Sequence, residues 1–333
     1  MMSSSRIAWL SIITLTISSL ISAQAAQRRA PLAYVSNEKD GTITVIDTRT
    51  DEVVSTFTVG GRLRGIHLSQ DGRKLYVAMT IPSNLRGNEA DKVMVIDTSN
   101  GNVIAKYDVG SDPEQFIISR DGSRLYTSNE DAGTASVTDL KTGKVIATLV
   151  VGIEPEGVAM SPNGRWVYVT SESSSTVSVI DTMTNKLKTT FPVGARPRAA
   201  AFTPDGLRAF VTAENGRTVS VIDIKSHKVM HTIGLSEGQL KPMGVAVSGD
   251  GRRVYVSNGR GNSVAIIDAR TYKILTMIPI EGRPWGIAIT PDDRKVYTAN
   301  GLSDDVSVID TRTNKVIKTI KAGQGPWGIA ISR

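Results

Sequence analysis

A loop related to Gly-x-x-Pro-x-Gly, the form that it takes at Gly152–Gly157, recurs along the chain and carries the side chains best suited to chemistry. Its glycines and proline serve the backbone, because proline fixes φ and glycine permits tight turns. The residue after the proline position varies, and in chain order it is Arg64, Glu114, Glu156, Arg198, Met243, Trp285 and Trp327. The residue before it varies through Arg62, Asp112, Glu154, Arg196, Lys241, Arg283 and Gly325. Since the repeat does not require these varied side chains, they form the candidate site.

Two kinds of binding chemistry fit this set. Arg64, Arg198 and Arg283 can grip carboxylates with two parallel hydrogen bonds. Trp285 and Trp327 offer stacking surfaces, and both residue types are common in binding hot spots. Alternatively, the glutamates provide oxygen ligands for a hard cation such as Ca²⁺, and adjacent loops add Glu130, Glu172 and Glu214. A third interpretation is that arginines and glutamates of adjacent loops merely neutralise each other.

His67 is a further candidate, in the segment Gly65–Ser69. The equivalent position in other repeats holds a small residue, namely Ala159, Ala201, Ala246, Ala288 and Ala330. An imidazole there is expected to point toward the molecular axis, where it would gate a channel, titrate near neutral pH or only fill space. His227 and His231 are expected to be exposed on an outer hairpin.

Composition narrows the chemistry. The chain has no cysteine and three histidines, which excludes thiolate nucleophiles, disulfides and cysteine-based metal sites and argues against a histidine-rich zinc site. No Gly-x-Ser-x-Gly elbow is visible. We therefore assign no catalytic residue and no metal site, and enzymatic activity stays an open question.

The loops belong to a repeat that runs along the chain. A Val/Ile-rich segment ends in an aspartate at Asp47, Asp97, Asp139, Asp181, Asp223, Asp268 and Asp310. Each repeat also has an aromatic residue at a matching position, namely Tyr34, Tyr76, Tyr126, Tyr168, Phe210, Tyr255 and Tyr297. The interval, 42 residues in most copies, is typical of a four-stranded propeller blade. The aspartates are interpreted as scaffold, with carboxylates that accept backbone N–H groups of the next turn.

Each repeat divides into four short segments rich in Val, Ile, Thr and aromatics, separated by polar turns. The predicted fold is all-β, a seven-bladed β-propeller of four-stranded blades, formed by residues 27–333 as a single domain. The first repeat opens with a second strand, Leu32–Asn37, and the last ends with a first strand, Gly328–Ser332. Pairing of these N- and C-terminal strands is expected to close the ring.

Residues 1–26 differ from the rest of the chain. Arg6 precedes an apolar stretch at 7–21, and Ala23-Gln24-Ala25 fits the small-x-small rule. This pattern predicts a secretory signal peptide cleaved near Ala25 or Ala26, a periplasmic location and a mature chain without a transmembrane segment. The net charge of +7 would suit nucleic acid or an anionic membrane surface. Because the excess is modest and spread along the chain, it argues against both.

The segments Tyr34–Asn37, Tyr168–Ser171 and Tyr255–Asn258 resemble the YVTN repeat. With the Ser/Thr-Pro-Asp-Gly turns, they make residues 27–333 similar to the bacterial YVTN β-propeller family over almost their whole length. More narrowly, the exported layout resembles the propeller proteins associated with PQQ-dependent alcohol catabolism. That resemblance implies a periplasmic accessory to a quinoprotein dehydrogenase or to a transporter component, with PQQ as a candidate ligand and no assigned cofactor.

Together, these observations favour a non-catalytic binding or accessory protein that holds a protein partner or an anionic small molecule at the channel mouth. The alternative is a metal-dependent, lactonase-like hydrolase that uses the glutamates of the same face.

Overall fold

The computed structural model describes residues 31–82, 90–235 and 240–333. The predicted signal peptide lies outside these ranges, as does most of the long loop at 80–91. Within the described ranges, no helix is long and apolar enough to cross a membrane.

The described chain forms seven four-stranded antiparallel sheets, which confirms the predicted fold class. The inner strands are β4 (Arg62–Leu68), β8 (Pro113–Ile118), β12 (Pro155–Met160), β16 (Pro197–Phe202), β20 (Pro242–Val247), β24 (Pro284–Ile289) and β28 (Pro326–Ile331). The second strands are β1 (Leu32–Asn37), β5 (Lys74–Thr80), β9 (Arg124–Asn129), β13 (Trp166–Ser171), β17 (Arg208–Ala213), β21 (Arg253–Asn258) and β25 (Lys295–Asn300).

The two outer positions of each blade follow in the same order. The third strands are β2 (Thr42–Asp47), β6 (Lys92–Asp97), β10 (Thr134–Asp139), β14 (Thr176–Asp181), β18 (Thr218–Asp223), β22 (Ser263–Asp268) and β26 (Asp305–Asp310). The fourth strands are β3 (Glu52–Thr58), β7 (Val103–Asp108), β11 (Val145–Val150), β15 (Lys186–Pro192), β19 (Lys228–Gly234), β23 (Ile274–Pro279) and β27 (Lys315–Lys321). Blade 1 is β28-β1-β2-β3, and blades 2 to 7 follow in chain order.

The ring closes as predicted, because the last strand pairs with the first. In blade 1, β28 lies antiparallel to β1, with Tyr34 opposite Ala330 and Val35 opposite Ile329. The Leu32 amide also donates to Ser332 Oγ at 2.8 Å. Strands from the two ends of the described ring therefore complete a single sheet.

Apolar clusters between neighbouring blades make the core. Tyr34 and Val45 of blade 1 pack with Leu63 and Val77 of blade 2, and all four are nearly inaccessible to solvent. The second and third strands supply most of this core because both of their faces are covered, whereas the fourth strands alternate between exposed and half-buried positions. Each blade is thus stabilised mainly by its neighbours.

The aspartates that end the third strands act as scaffold, as expected. Asp47 Oδ1 accepts the Arg49 amide at 2.7 Å. Asp139 and Asp310 accept turn amides in the same manner. Short polar side chains commonly bond the backbone in this way at turns.

One histidine prediction is wrong. His227 was expected to be exposed, but it is 7% accessible, and its Nδ1 lies 2.7 Å from the Tyr168 hydroxyl of the preceding blade. The turn that follows β18 therefore packs against the neighbouring sheet rather than projecting into solvent. His231 is exposed as expected and stacks on Tyr272 with 4.9 Å between ring centroids.

Candidate functional site

A cavity of about 190 Å³ lies on the axis of the ring and is lined by residues from all seven inner strands. It brings together part of the predicted set, namely His67, Glu156, Arg198, Met243, Trp285 and Trp327. The loops between blades and the loops after the second strands share one face, here called the mouth face. For example, the Glu172 amide donates to the Glu154 carbonyl at 2.8 Å, and the Glu214 amide donates to the Arg196 carbonyl at 2.8 Å.

A backbone irregularity accompanies the varied side chains in every blade. In blade 4, Pro155 pairs with Ser171, but the next regular pair is Val158 with Val169, so Glu156 lies within a register shift. The same shift occurs in all seven inner strands. Because a β-bulge bends its strand and redirects a side chain, this shift lets one position per blade depart from regular pleating.

Hydroxyl groups of the second strands hold these irregular segments in place. Thr170 Oγ1 accepts the Gly157 amide of its own blade at 2.8 Å and donates to the Arg198 carbonyl of the next blade at 3.1 Å. Equivalent donors are Ser36, Ser128, Thr212 and Ser257, which bond the carbonyls of Arg64, Glu156, Met243 and Trp285. The backbone of most candidate residues is therefore fixed by the preceding blade.

Arg64 is enclosed by carboxylates. It forms an ion pair with the fully buried Glu114, and its Nε lies 3.2 Å from Glu38 Oε1. Its Nη1 also lies 3.6 Å from Glu130 Oε2. Arg62 reinforces this cluster with a 2.8 Å contact from its Nε to Glu38 Oε1. The charge of the Arg64 guanidinium is thus neutralised by carboxylates of the same chain.

Arg198 occupies an equivalent setting three blades away. It pairs with Glu172, and its Nη2 lies 3.3 Å from Glu156 Oε1. Arg196 contacts the same group from the loop, with Nε 2.7 Å from Glu172 Oε2 and 3.1 Å from Glu214 Oε2. The glutamates considered above as oxygen ligands for a cation are therefore divided between two arginine-centred clusters.

Carboxylates exceed arginines in these clusters, and this affects ionisation. Burial raises the pKa of Glu130 to about 7, and the nearby charges of Glu156 and Asp112 add to the effect. Burial also raises the pKa of Glu156, although Arg198 opposes that shift. Some of the negative charge at the mouth is therefore removed by protonation near neutral pH.

Arg283 differs from Arg62, Arg64, Arg196 and Arg198, which all pair with carboxylates. Its guanidinium lies 4.7 Å from the ring centroid of Trp285, and within the described residues its Nε has no hydrogen-bond partner and no carboxylate forms an ion pair with it. Burial lowers the pKa of Arg283, the charge of Glu214 opposes this shift without forming an ion pair, and the positive charges of Arg260 and Arg198 add to it. Arg283 is thus a cation whose charge no neighbouring carboxylate contacts.

The two tryptophans form one wall of the cavity. Their ring centroids are 6.1 Å apart with an interplanar angle of 33°. The Arg198 guanidinium lies 5.2 Å from the Trp285 ring centroid, and that of Arg64 lies 5.9 Å from that of Trp327. These cation–π contacts join the aromatic wall to both ion-pair clusters.

His67 faces the cavity, as predicted, and packs edge-on against Phe116 with 5.3 Å between centroids. Burial lowers the pKa of His67 to about 4, so the imidazole is neutral at physiological pH. Of the roles expected for His67, titration near neutral pH is disfavoured by this shift.

Sequence reasoning missed Gln115, which lines the cavity in the neighbouring blade. A signal was present, because most other repeats have glycine at that position, as at Gly157 and Gly244.

One group of carboxylates has spacing suitable for a metal ion. Ligand atoms of Asp112, Glu114 and Glu130 lie within 4.8 Å of one another. Arg64 contacts two of the three, and Arg62 Nη1 is 3.6 Å from Asp112 Oδ1. The guanidiniums already provide positive charge where a cation would bind.

Two family models match parts of the chain. The model described as "Lactonase, 7-bladed beta-propeller" matches residues 181–326, and the "Cytochrome D1 heme domain" model matches residues 85–201. Each match covers less than half of the 333 residues. None of the curated proteins compared with the chain matches it.

Solved structures share the architecture. The chain is similar to hydrazine synthase from Kuenenia stuttgartiensis, with a TM-score of 0.70 and 23% identity over 82% of this chain and 91% of that one. It is also similar to a functionally unknown protein from Desulfotomaculum acetoxidans DSM 771, with a TM-score of 0.76 and 21% identity over 91% and 99%. At these identities the likeness concerns the fold alone. The partial lactonase match and the two similar structures agree with the seven-bladed β-propeller fold described above.

Proposed function

We propose that this propeller is an exported, non-catalytic binding protein of the periplasm, which holds an anionic small molecule or an acidic group of a protein partner at its mouth. The observation that carries the proposal is the state of Arg283, which no carboxylate of the described chain pairs with, whereas Arg64 and Arg198 are paired. An unpaired, half-buried guanidinium beside a cavity is suited to an external carboxylate.

The adjacent wall favours a ligand with a planar, apolar body. Trp285 and Trp327 line the cavity, and Met243 extends the apolar surface. The cavity, at about 190 Å³, is smaller than the roughly 300–1,000 Å³ of sites that enclose a drug-sized molecule. A larger ligand would therefore enter partly and leave its anionic end near Arg283. PQQ, a tricarboxylate quinone, has both properties, and the sequence resemblance supports it as the first ligand to test.

Titration calorimetry with PQQ tests this proposal. The protein is expected to bind PQQ, and Arg283→Gln should weaken binding about tenfold or more, because hydrogen bonds to a charged group contribute roughly 1.5–3 kcal/mol. Arg252→Gln, on the opposite face of the ring, is the matched control and should bind normally. The role of Arg283 would be contradicted if PQQ produced no heat of binding, or if Arg283→Gln and Arg252→Gln lost the same affinity for PQQ.

In the second form of this proposal, the bound group is an acidic side chain of a partner protein. The resemblance points to a periplasmic quinoprotein dehydrogenase or a transporter component, which would place an acidic side chain in the mouth. Pull-down against a purified dehydrogenase of that class, with Arg283→Gln as the comparison, measures this directly. If neither PQQ nor the dehydrogenase binds, the accessory role is wrong.

The second candidate is a metal-dependent, lactonase-like hydrolase. The spacing of Asp112, Glu114 and Glu130 and the partial lactonase match support it. The matched residues, 181–326, do not include these carboxylates, and two arginines neutralise them. Both facts favour the binding protein. A stoichiometric divalent cation in the purified protein, together with lactone hydrolysis that is lost in Glu114→Gln, would reverse this preference.

A further inference from the structure

The face opposite the mouth is formed by two sets of turns, those between first and second strands and those between third and fourth strands. The sets adjoin, since Thr98 Oγ1 donates to the Gly72 carbonyl at 2.9 Å and Thr182 Oγ1 donates to the Gly164 carbonyl at 2.7 Å. This surface, the turn face, involves none of the candidate site residues of the mouth.

Every blade presents an exposed cation on the turn face. Representatives in blade order are Arg49, Arg73, Lys141, Arg165, Lys225, Arg270 and Arg312. The same turns also carry an aspartate in every blade, such as Asp47, Asp139 and Asp250, so both signs are present on this face, with lysines and arginines in excess over acidic groups. A surface with an excess of one sign attracts partners of the opposite sign.

The cations of the turn face differ in whether they hold the scaffold together. Arg124 and Arg253 tie neighbouring blades together, each with Nη1 donating at 2.7 Å to a turn carbonyl of the next blade. The side chains of Arg252 and Arg294 are instead 85% and 84% exposed, and their carboxylate contacts are as long as 4.0 and 3.8 Å. These arginines remain available to a partner.

Two large apolar side chains stand among the cations. Leu207 is 63% exposed and Met183 is 72% exposed. Equivalent turns place Arg252 or Arg294 at the position of Leu207, and Arg49 or Lys225 at the position of Met183. The repeat alone therefore does not require an apolar residue at either position.

The two apolar residues belong to neighbouring blades. Met183 follows Thr182, which bonds the Gly164 carbonyl in blade 4, and a Cβ at Gly206, next to Leu207 in blade 5, would lie 3.8 Å from Pro162 of blade 4. Apolar tips and cations are thus combined on one face.

We propose that the turn face docks on an anionic lipid bilayer surface, with Leu207 and Met183 entering the headgroup region and the surrounding arginines and lysines facing lipid phosphates. Peripheral attachment of this kind combines apolar insertion with attraction to anionic lipid. An acidic protein or a nucleic acid would account for the charge but offers no general site for two protruding apolar tips. The mouth would then face away from the bilayer, free to bind its ligand.

Sedimentation of the purified protein with vesicles tests this inference. Vesicles rich in phosphatidylglycerol should carry the protein down, whereas pure phosphatidylcholine vesicles should not, and added salt should release it. Arg252→Gln with Arg294→Gln should weaken partitioning roughly fivefold for each arginine, from about 1 kcal/mol per cation near the surface. Leu207→Ser with Met183→Ser should weaken it further at fixed charge.

The mouth face provides matched controls. Ile153 and Leu302 are 65% and 66% exposed there, and Ile153→Ser with Leu302→Ser should leave vesicle binding unchanged. Lys39→Gln with Lys321→Gln is the corresponding charge control. The inference is overturned if phosphatidylglycerol vesicles do not bind the protein, if the mouth-face variants lose as much binding as the turn-face variants, or if loss of the apolar tips has no effect. The last result would indicate a purely electrostatic partner.

Discussion

Glu130 illustrates how the environment of one side chain sets a property of the mouth. Burial and the charges of Glu156 and Asp112 outweigh the opposing charge of Arg62 and raise its pKa to about 7, against an ordinary value of 4.5. The folded protein therefore binds a proton at Glu130 more tightly than the unfolded chain does. Its contribution to stability is full below about pH 4.5 and is lost as the pH rises toward 7.

We expect Glu130→Gln to remove part of this pH dependence. Between pH 5 and pH 8, the free energy of unfolding of the natural protein should fall by roughly 1–2 kcal/mol more than that of the variant, because the amide carries no charge to bury. Unfolding by denaturant at the two pH values measures this difference. Asp131→Asn, at the exposed neighbouring position, is the control and should not alter the slope. Identical pH profiles for the natural protein and Glu130→Gln would show that Glu130 titrates normally.

At the scale of elements, the hydroxyls that join neighbouring blades explain how adjacent sheets are held in register. Ser257 Oγ accepts the Gly244 amide at 2.9 Å and donates to the Trp285 carbonyl at 2.5 Å. Two blades have alanine at this position, Ala78 and Ala299, so their junctions lack the link. The junctions between blades are therefore unequal.

Ser257→Ala should lower the free energy of unfolding by about 1–3 kcal/mol, because it leaves backbone groups of two strands without their partner. The same change should alter tryptophan emission, since the Trp285 backbone is released. Ser55→Ala, in an outer strand, should have little effect in either measurement. An unchanged unfolding curve for Ser257→Ala would mean that water replaces the hydroxyl.

At the scale of the whole molecule, closure of the ring depends on β28. Removal of Trp327–Arg333 takes away most of the inner strand of blade 1 and exposes the edge of β1. We expect a sharp fall in melting temperature, measured by circular dichroism, because an unpaired edge and an open ring remain. A control protein that lacks only Arg333 should keep the melting temperature of the natural protein. If the two shortened proteins have the same melting temperature, the pairing of β28 with β1 does not stabilise the ring.

The fold was predictable because each repeat has its own signals. The aspartates, the aromatic residues and the turns recur in every blade, and strand pairing within a blade is local in sequence. The site was only partly predictable. Which residues reach the mouth followed from the loop position, but the partners of Arg64 and Arg198 come from several blades, so no spacing in the sequence reveals them. His227 was misplaced because packing between blades overrides its turn position.

The pairing of β28 with β1 also has a consequence for biosynthesis. When β1, β2 and β3 emerge from the ribosome, their sheet lacks its innermost member until β28 has been made. Blades 2 to 7 are each contiguous in the chain, so they can form in the order of their synthesis, while the oldest blade is the last to be completed. Completion of the ring therefore waits until β28 has been synthesised.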